Sequence, residues 1–416
     1  MAEMIELKEQ EERVILVAVS TGEDDDTAAS VDELEELAST AGAVTVGKVI
    51  QNRENVHPGT YLGKGKIEEV KELLWELDAT GIICDDELSP AQLKNLEDAL
   101  DTKVMDRTMV ILDIFASRAR TREGKIQVEL AQLRYRAVRL VGLRNSLSRL
   151  GGGIGTRGPG EKKLEVDRRL IHERISQLKS ELEDVKRHRE VVRKKRENGG
   201  ALTAAIVGYT NAGKSTLLNR LTQAGILAED KLFATLDPTT RALTLPGGER
   251  VLLTDTVGFI RKLPHHLIEA FKSTLEEAKY SDVILHVVDC SNPQMDMQMH
   301  VVYETLRQLE ITDKEIVTVF NKIDREGADT AGRDMAADYR AKISAKTGEG
   351  LPDLLGVLET ILRSRRIYFE KVFSYAEAGR IQRIRKNGRL LSEEYKEDGI
   401  HVTAYVPVEL FEELYR

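Results

Sequence analysis

The sequence predicts a multidomain α/β protein. It has an N-terminal domain built on a parallel sheet, an antiparallel helical hairpin, a doubly wound α/β domain and a small C-terminal α/β domain. Three observations predict it. Short apolar runs alternate with helical patterns from residue 13 to 118, the signature of parallel strands joined by crossover helices. Two heptad seams follow, with a glycine-rich stretch between them. An apolar strand at 204–207 then runs straight into a glycine-bearing turn and a helix. At 416 residues the chain exceeds one ordinary domain. The expected boundaries are 1–118, 119–200, 201–365 and 366–416.

In the first domain, VILVAVS (14–20), AVTVGKVIQ (43–51), GIICDD (81–86) and KVMD (103–106) read as strands. VDELEELAST (31–40), IEEVKELLWELD (67–78) and AQLKNLEDAL (91–100) read as the intervening helices. The pattern then changes. Ile126, Leu130, Leu133, Ala137, Leu140 and Leu147 form one seam, and Leu164, Ile171, Ile175, Leu178, Leu182, Val185 and Val192 form another. Both keep the 4, 3 alternation of a heptad. Two such helices joined by a short connection run antiparallel. The second, about 36 residues long, spans roughly 54 Å. After residue 365, IYFEKVF (367–373) and GIHVTAYVP (399–407) read as strands and AEAGRIQRIRKNG (376–388) as a helix. Lys371, Arg380, Arg383, Arg385 and Lys386 read there as a solvated face, with contact to rRNA or protein as the alternative.

Composition narrows the function classes. The chain carries 61 Lys/Arg and 70 Asp/Glu, a net of −9, which argues against a generic nucleic-acid binder. The sum hides an asymmetry. Residues 134–196 hold 19 Lys/Arg and 8 Asp/Glu, a net of +11, so the remainder carries −20. A basic arm on an acidic body points to a polyanionic partner, although a solvated coiled coil has the same composition. Cys84 and Cys290 are the only cysteines, which fits a reducing compartment. No run of about 18 apolar residues exists to span a membrane, and the N-terminus lacks a signal-peptide core. A cytoplasmic monomer is the expectation.

The chemistry is concentrated in GYTNAGKST (208–216), which has P-loop spacing between a strand and a helix. Backbone N–H groups of Gly208, Tyr209, Thr210, Asn211, Ala212, Gly213, Lys214, Ser215 and Thr216 can close around phosphates, helped by the helix N-terminus. Lys214 supplies a point charge to the β- and γ-phosphates, and Ser215 a hydroxyl to Mg²⁺. VLLTDTVG (251–258) ends in Asp255, which can hold Mg²⁺ through water, and Gly258, whose N–H can meet the γ-phosphate. IVTVFNKID (316–324) supplies Asn321, Lys322 and Asp324. A carboxylate at 324 matches guanine N1–H and N2–H₂, whereas adenine leaves it unpaired. Ser344, Ala345 and Lys346, in ISAKTG, fit further contacts to the base. These segments together specify GTP, hydrolysed to GDP and phosphate. Thr235, in FATLDPT, is the candidate to close on Mg²⁺ and the γ-phosphate, with Thr239 in reserve. Lys214, Thr235 and Gly258 are thus the catalytic candidates, and Ser215, Thr235 and Asp255 the metal ligands.

Phe259 stands where Ras-like proteins carry the Gln that orients water. Two readings follow: the ring is retracted and water is held otherwise, or hydrolysis stays slow until a partner completes the site. Either is compatible with a ring that simply packs. Asn211 matches bacterial GTPases that place K⁺ beside the phosphates, and equally suits the turn itself.

With these motifs stand GTYLGKGK (59–66), DDELSPAQ (85–92), DRTMVILDIFASRARTREGKIQVELAQLRYR (106–136), GGGIGTRGPGEKKLEVDRR (151–169) and FATLDPTT ahead of DTVGFI. In these the chain resembles the HflX family of ribosome-associated GTPases over nearly its whole length. The resemblance implies a GTPase domain with a Ras-like sheet. It also implies binding to the large ribosomal subunit, through rRNA and ribosomal proteins, and splitting of stalled or idle ribosomes under stress. The glycine-rich stretch lacks the preceding strand of a nucleotide fingerprint. It sits at the tip of the hairpin, where a backbone of low bulk can enter an RNA-lined cavity, which the resemblance identifies as the peptidyl-transferase region. Arg149, Gly151, Gly152, Gly153, Gly155, Arg157, Gly158, Lys162 and Lys163 are the candidate rRNA contacts, the cations neutralising phosphates. Two other readings remain open: a checkpoint GTPase on immature large subunits, and an RNA-binding or remodelling module whose affinity GTP sets.

Overall fold

The computed structural model describes residues 11–22, 26–150, 159–197, 202–222, 232–264, 267, 275, 277–329 and 332–415. They fall into two compact units. One comprises residues 1–184 with 229–237 and 260–272; the other comprises 185–228, 238–259 and 273–416.

The first unit holds a four-stranded sheet, all parallel, of β1 (Arg13–Ser20), β2 (Val44–Asn52), β3 (Gly81–Cys84) and β4 (Lys103–Asp106), in the order β2-β1-β3-β4. Every residue of β1 from Val14 to Val19 is buried, as a central strand covered on both faces requires. Helices α1 (Thr27–Thr40), α2 (Lys64–Glu76), α3 (Pro90–Leu100) and α4 (Arg107–Arg118) complete it. Ser89 and Gln92 form a reciprocal capping box at the start of α3, with Pro90 in the first turn. The sequence reading carried β3 to residue 86. The strand stops at Cys84, and the buried Asp85 instead pairs with the buried Arg107 at 2.8 Å. It also missed α4, because RTMVILDIFASR follows β4 with no intervening loop.

Asp106 ends β4 and caps α4 by accepting from the Met109 N–H at 2.9 Å. The same carboxylate accepts from Tyr135 Oη at 2.7 Å and Arg139 Nη2 at 2.6 Å, which fixes α5 (Arg122–Leu150) to the sheet. Along the hairpin, α6 (Pro159–Glu197) is 39 residues long. Glu129 accepts two hydrogen bonds from Arg174, and Arg122 pairs with Glu181. Partner numbers rise on one helix as they fall on the other, so α5 and α6 are antiparallel. Among the described side chains of the heptad seams, Ile126, Leu130, Ala137, Ile175 and Leu178 are buried.

The second unit holds a six-stranded sheet, β10-β9-β8-β5-β7-β6. Its strands are β5 (Leu202–Gly208), β6 (Thr239–Thr244), β7 (Arg250–Asp255), β8 (Val283–Asp289), β9 (Glu315–Asn321) and β10 (Tyr339–Lys342). Only β6 runs antiparallel to its neighbour. Its described helices include α7 (Lys214–Thr222), α8 (Met295–Gln308) and α9 (Leu351–Ser364). The chain leaves β5 for β6 and β7 on one side and returns to β8 on the other. The strand order thus reverses at β5, and ligands bind at the carboxyl ends of strands at such a point.

The same unit ends in an antiparallel sheet of β11 (Arg366–Phe373), β13 (Gly399–Pro407) and β12 (Arg389–Lys396), with α10 (Ala378–Asn387) and α11 (Val408–Tyr415). The sequence reading missed β12, whose RLLSEEYK lacks an apolar alternation, and α11. Lys371 is a correction: it donates to the Leu414 carbonyl at 2.6 Å beside the Phe373 and Tyr415 rings rather than lying on a solvated face. Among the described residues no helix is long and apolar enough to cross a membrane.

Candidate nucleotide-binding site

The turn after β5 has the backbone a phosphate cradle needs. Gly208 has φ +154° and Gly213 φ +95°. A Cβ at Gly208 would stand 2.2 Å from the Val287 carbonyl oxygen, and one at Gly213 would stand 2.3 Å from Asn321 Nδ2. Only glycine fits either position. Asn211 takes φ +60°, a left-handed conformation that Asn tolerates. α7 starts at Lys214, so the first N–H groups of the helix face the turn.

Lys214 folds back into this turn, donating to the carbonyls of Gly208 at 3.1 Å and Tyr209 at 2.7 Å. Burial pushes its pKa down to about 8, with nearby Lys322 acting in the same direction and Asp255 against it. Phosphates would restore the missing counter-charge and raise that pKa, so nucleotide binding takes up a proton where the empty site is neutral. The binding free energy is fully present below pH 8 and is lost as pH rises through it. The Kd for GTP should therefore rise roughly tenfold between pH 7 and pH 9, as fluorescent-nucleotide titration at each pH can measure. A flat profile would contradict the buried-lysine account.

Ser215 donates to Asp255 Oδ2 at 2.7 Å, which places the two predicted metal ligands side by side. Gly258 lies against the turn: a Cβ there would meet Thr210 Cα at 2.9 Å and Lys214 Nζ at 3.0 Å. Phe259 is 1% exposed and is bound into the turn through its backbone, accepting from the Thr210 N–H at 2.7 Å and donating to the Gly208 carbonyl at 3.1 Å. Its ring is a packing group. Thr235 belongs to the first unit, where its neighbours Leu232, Phe233 and Leu236 are buried. The reserve candidate, Thr239, opens β6 opposite Asp255.

At the end of β9 the roles divide. Asn321 is 2% exposed and joins two loops, donating to the Ala212 carbonyl at 2.8 Å and accepting from the Ala345 N–H at 2.9 Å. Lys322 pairs with Asp289 at 2.7 Å. Asp289, at the end of the buried strand β8, was missed in the sequence reading. Asp324 is exposed, and the Ser344 hydroxyl, with Lys346 and Arg325, holds its carboxyl below the ordinary range. It is thus ionised and open to a base. Ser344 and Ala345 are buried, while Lys346 is exposed. Asp324→Asn presents an amide donor to guanine N1–H, so GTP affinity should fall on the order of 10²-fold. Xanthosine triphosphate should become the preferred ligand in competition binding. Retained preference for GTP would displace Asp324 from the base.

Of the candidate rRNA contacts, Gly151, Gly152, Gly153, Gly155, Arg157 and Gly158 lie outside the described residues, as do the side chains of Arg149, Lys162 and Lys163.

An exposed carboxylate after β9, a glycine-bearing P-loop turn and a hydroxyl–carboxylate pair on one doubly wound sheet place the chain in the P-loop GTPase class. Three family models match it: "GTP-binding GTPase N-terminal" over residues 28–116, "GTP-binding GTPase Middle Region" over 118–196 and "50S ribosome-binding GTPase" over 203–322. The chain is 77% identical over 414 residues to GTPase HflX of Lacrimispora saccharolytica, covering 100% of this chain and 98% of the relative. It is 50% identical to GTPase HflX of Caldanaerobacter subterraneus subsp. tengcongensis, covering 99% and 95%. It is 44% identical to GTPase HflX of Escherichia coli, covering 83% and 82%. The chain belongs to the HflX family of GTPases.

Proposed function

We propose that this GTPase binds the large ribosomal subunit in the cytoplasm and splits stalled or vacant ribosomes into subunits under stress. The observation that carries the reading is charge. Residues 134–196 hold a net of +11 on a chain of −9, and they form most of an antiparallel helical arm. A concentrated positive field of this kind fits phosphate-rich RNA. The description of the matching family model, "50S ribosome-binding GTPase", supports the large subunit as partner.

At the site, the oxygen donors of Ser215 and Asp255 suit Mg²⁺, a hard cation, and Thr235 is the proposed third protein group. When bound, Mg²⁺ neutralises charge on the β- and γ-phosphates. Lys214 adds a fixed cation to them, and the N–H groups of the turn and of Gly258 donate to their oxygens. With the Phe259 ring buried, no side chain at that position orients water. Hydrolysis by the free protein is therefore slow, and the large subunit accelerates it.

Asn211 is proposed to hold K⁺ beside the phosphates as well as to make the turn. Asn211→Gly keeps the left-handed backbone and removes the ligand. In a phosphate-release assay K⁺ should stimulate the unmodified protein more than Na⁺, and Asn211→Gly should erase the difference. Indifference of the unmodified protein to the cation would refute this role.

Pelleting with purified subunits tests the partner. The protein should sediment with large subunits in a non-hydrolysable GTP analogue, far less in GDP, and not with small subunits. Pelleting only with precursor particles would favour the checkpoint reading. Equal binding to naked rRNA would favour the RNA module.

A further inference from the structure

The first helix of the arm is held at its N-terminus by a residue of the loop that carries Thr235. Asp237 stands two residues after Thr235. Its Oδ2 accepts from the backbone N–H of Arg120 and of Thr121, both at 2.9 Å, and its Oδ1 accepts from the Thr121 hydroxyl. Thr121 in turn caps α5, its hydroxyl accepting from the Gly124 N–H at 2.9 Å. The carboxylate thus closes over a capped helix end, where the helix dipole favours an anion.

Two further observations mark this contact as specific. Gly124 lies in the first turn of α5, a place where glycine weakens a helix. A Cβ there would stand 2.4 Å from Asp237 Oδ1. The sequence therefore carries a poor helix former at the one position the carboxylate must cover. The loop is also seated beyond Asp237. Phe233 is buried with its ring edge-on to Phe115 of α4, centroids 4.7 Å apart, and takes φ +52°. A bulky residue in the left-handed region is strained and persists only where its surroundings hold it.

We propose that Asp237 is a nucleotide-responsive clasp on α5: closed with GDP, and drawn off when GTP engages Thr235. The proposal rests on the reading of Thr235 as the γ-phosphate-sensing threonine. Two residues span at most about 7 Å of chain, so moving Thr235 to a phosphate carries Asp237 with it. The N-terminus of α5 then loses its outer partner, and the arm's attachment changes with the nucleotide.

Amide hydrogen exchange of the full-length protein over residues 118–126 tests this. Exchange there should be roughly five- to tenfold faster with a non-hydrolysable GTP analogue than with GDP. Asp237→Ala should be fast in both states. Gly124→Ala should also be fast in both, although alanine by itself strengthens a helix and would slow exchange. Thr235→Ala should stay slow in both. If Thr235→Ala still opens with the analogue while Asp237→Ala is fast throughout, the clasp stands and Thr235 is not the sensor. Equal protection of the unmodified protein in both nucleotides, or unchanged protection in Asp237→Ala with GDP, would overturn the proposal.

Discussion

Replacing Lys214 with alanine should lower GTP hydrolysis on the order of 10²–10³-fold, the usual loss when one preorganised electrostatic group is removed from a transition state. The buried ammonium donates to two carbonyls of its own turn, and burial depresses its pKa to about 8. Its charge is thus better matched to phosphates than to the protein. The empty variant should melt no lower than the unmodified protein, since the change removes a poorly solvated cation. Thermal melting run beside phosphate release separates the two effects. Near-normal hydrolysis, or loss of activity explained by unfolding, would contradict the assignment.

Replacing Gly151–Gly160 with a short Gly/Ser turn should abolish splitting and leave basal hydrolysis intact. The heptad seams lie outside that window, and the described part of the hairpin is held by Ile126, Leu130, Ile175, Leu178 and the Arg174–Glu129 pair. The phosphate cradle, Asp255 and Asn321–Asp324 belong to the other unit. Large-subunit binding should weaken by less than roughly tenfold, because most of the arm's phosphate-facing cations remain. Reversing the charges of Arg157 and Lys162 together should give a milder defect, steeper in salt. Sucrose-gradient sedimentation of vacant ribosomes, beside hydrolysis by the same preparations, reads both. Full splitting by the loop-replaced protein would leave the glycines as a turn and nothing more.

The nucleotide site was legible because its chemistry is local. Lys214, Ser215 and the glycines fall within one turn, Asp255 ends a strand whose apolar run marks it, and Asp324 follows another such strand by three residues. The fold classes were legible for the same reason: apolar runs mark β1 and β5, and the hairpin repeats its period, whereas β8, interrupted by His286, went unread. What escaped depends on partners distant in sequence. Asp237 reads as one polar residue of a loop, since its partners Arg120 and Thr121 lie 117 and 116 positions away. Lys262 likewise follows Phe259 without a visible role, yet it bridges Asp85 at 2.6 Å and Asp86 at 2.7 Å. β12 escaped because its register on β13, not its own composition, makes it a strand. Asn321 was read as one of the nucleotide-binding residues; that it also ties the Ala212 and Ala345 loops together is a role that only the folded chain displays.

The central claim is that the GTP-bound protein drives ribosomal subunits apart. Light scattering of purified vacant ribosomes mixed with the unmodified protein tests it most directly. Scattering should fall to the level of separated subunits with GTP and with a non-hydrolysable analogue, and should stay constant with GDP. Constant scattering in all three, with the protein shown to be bound and hydrolysing GTP, would contradict the account.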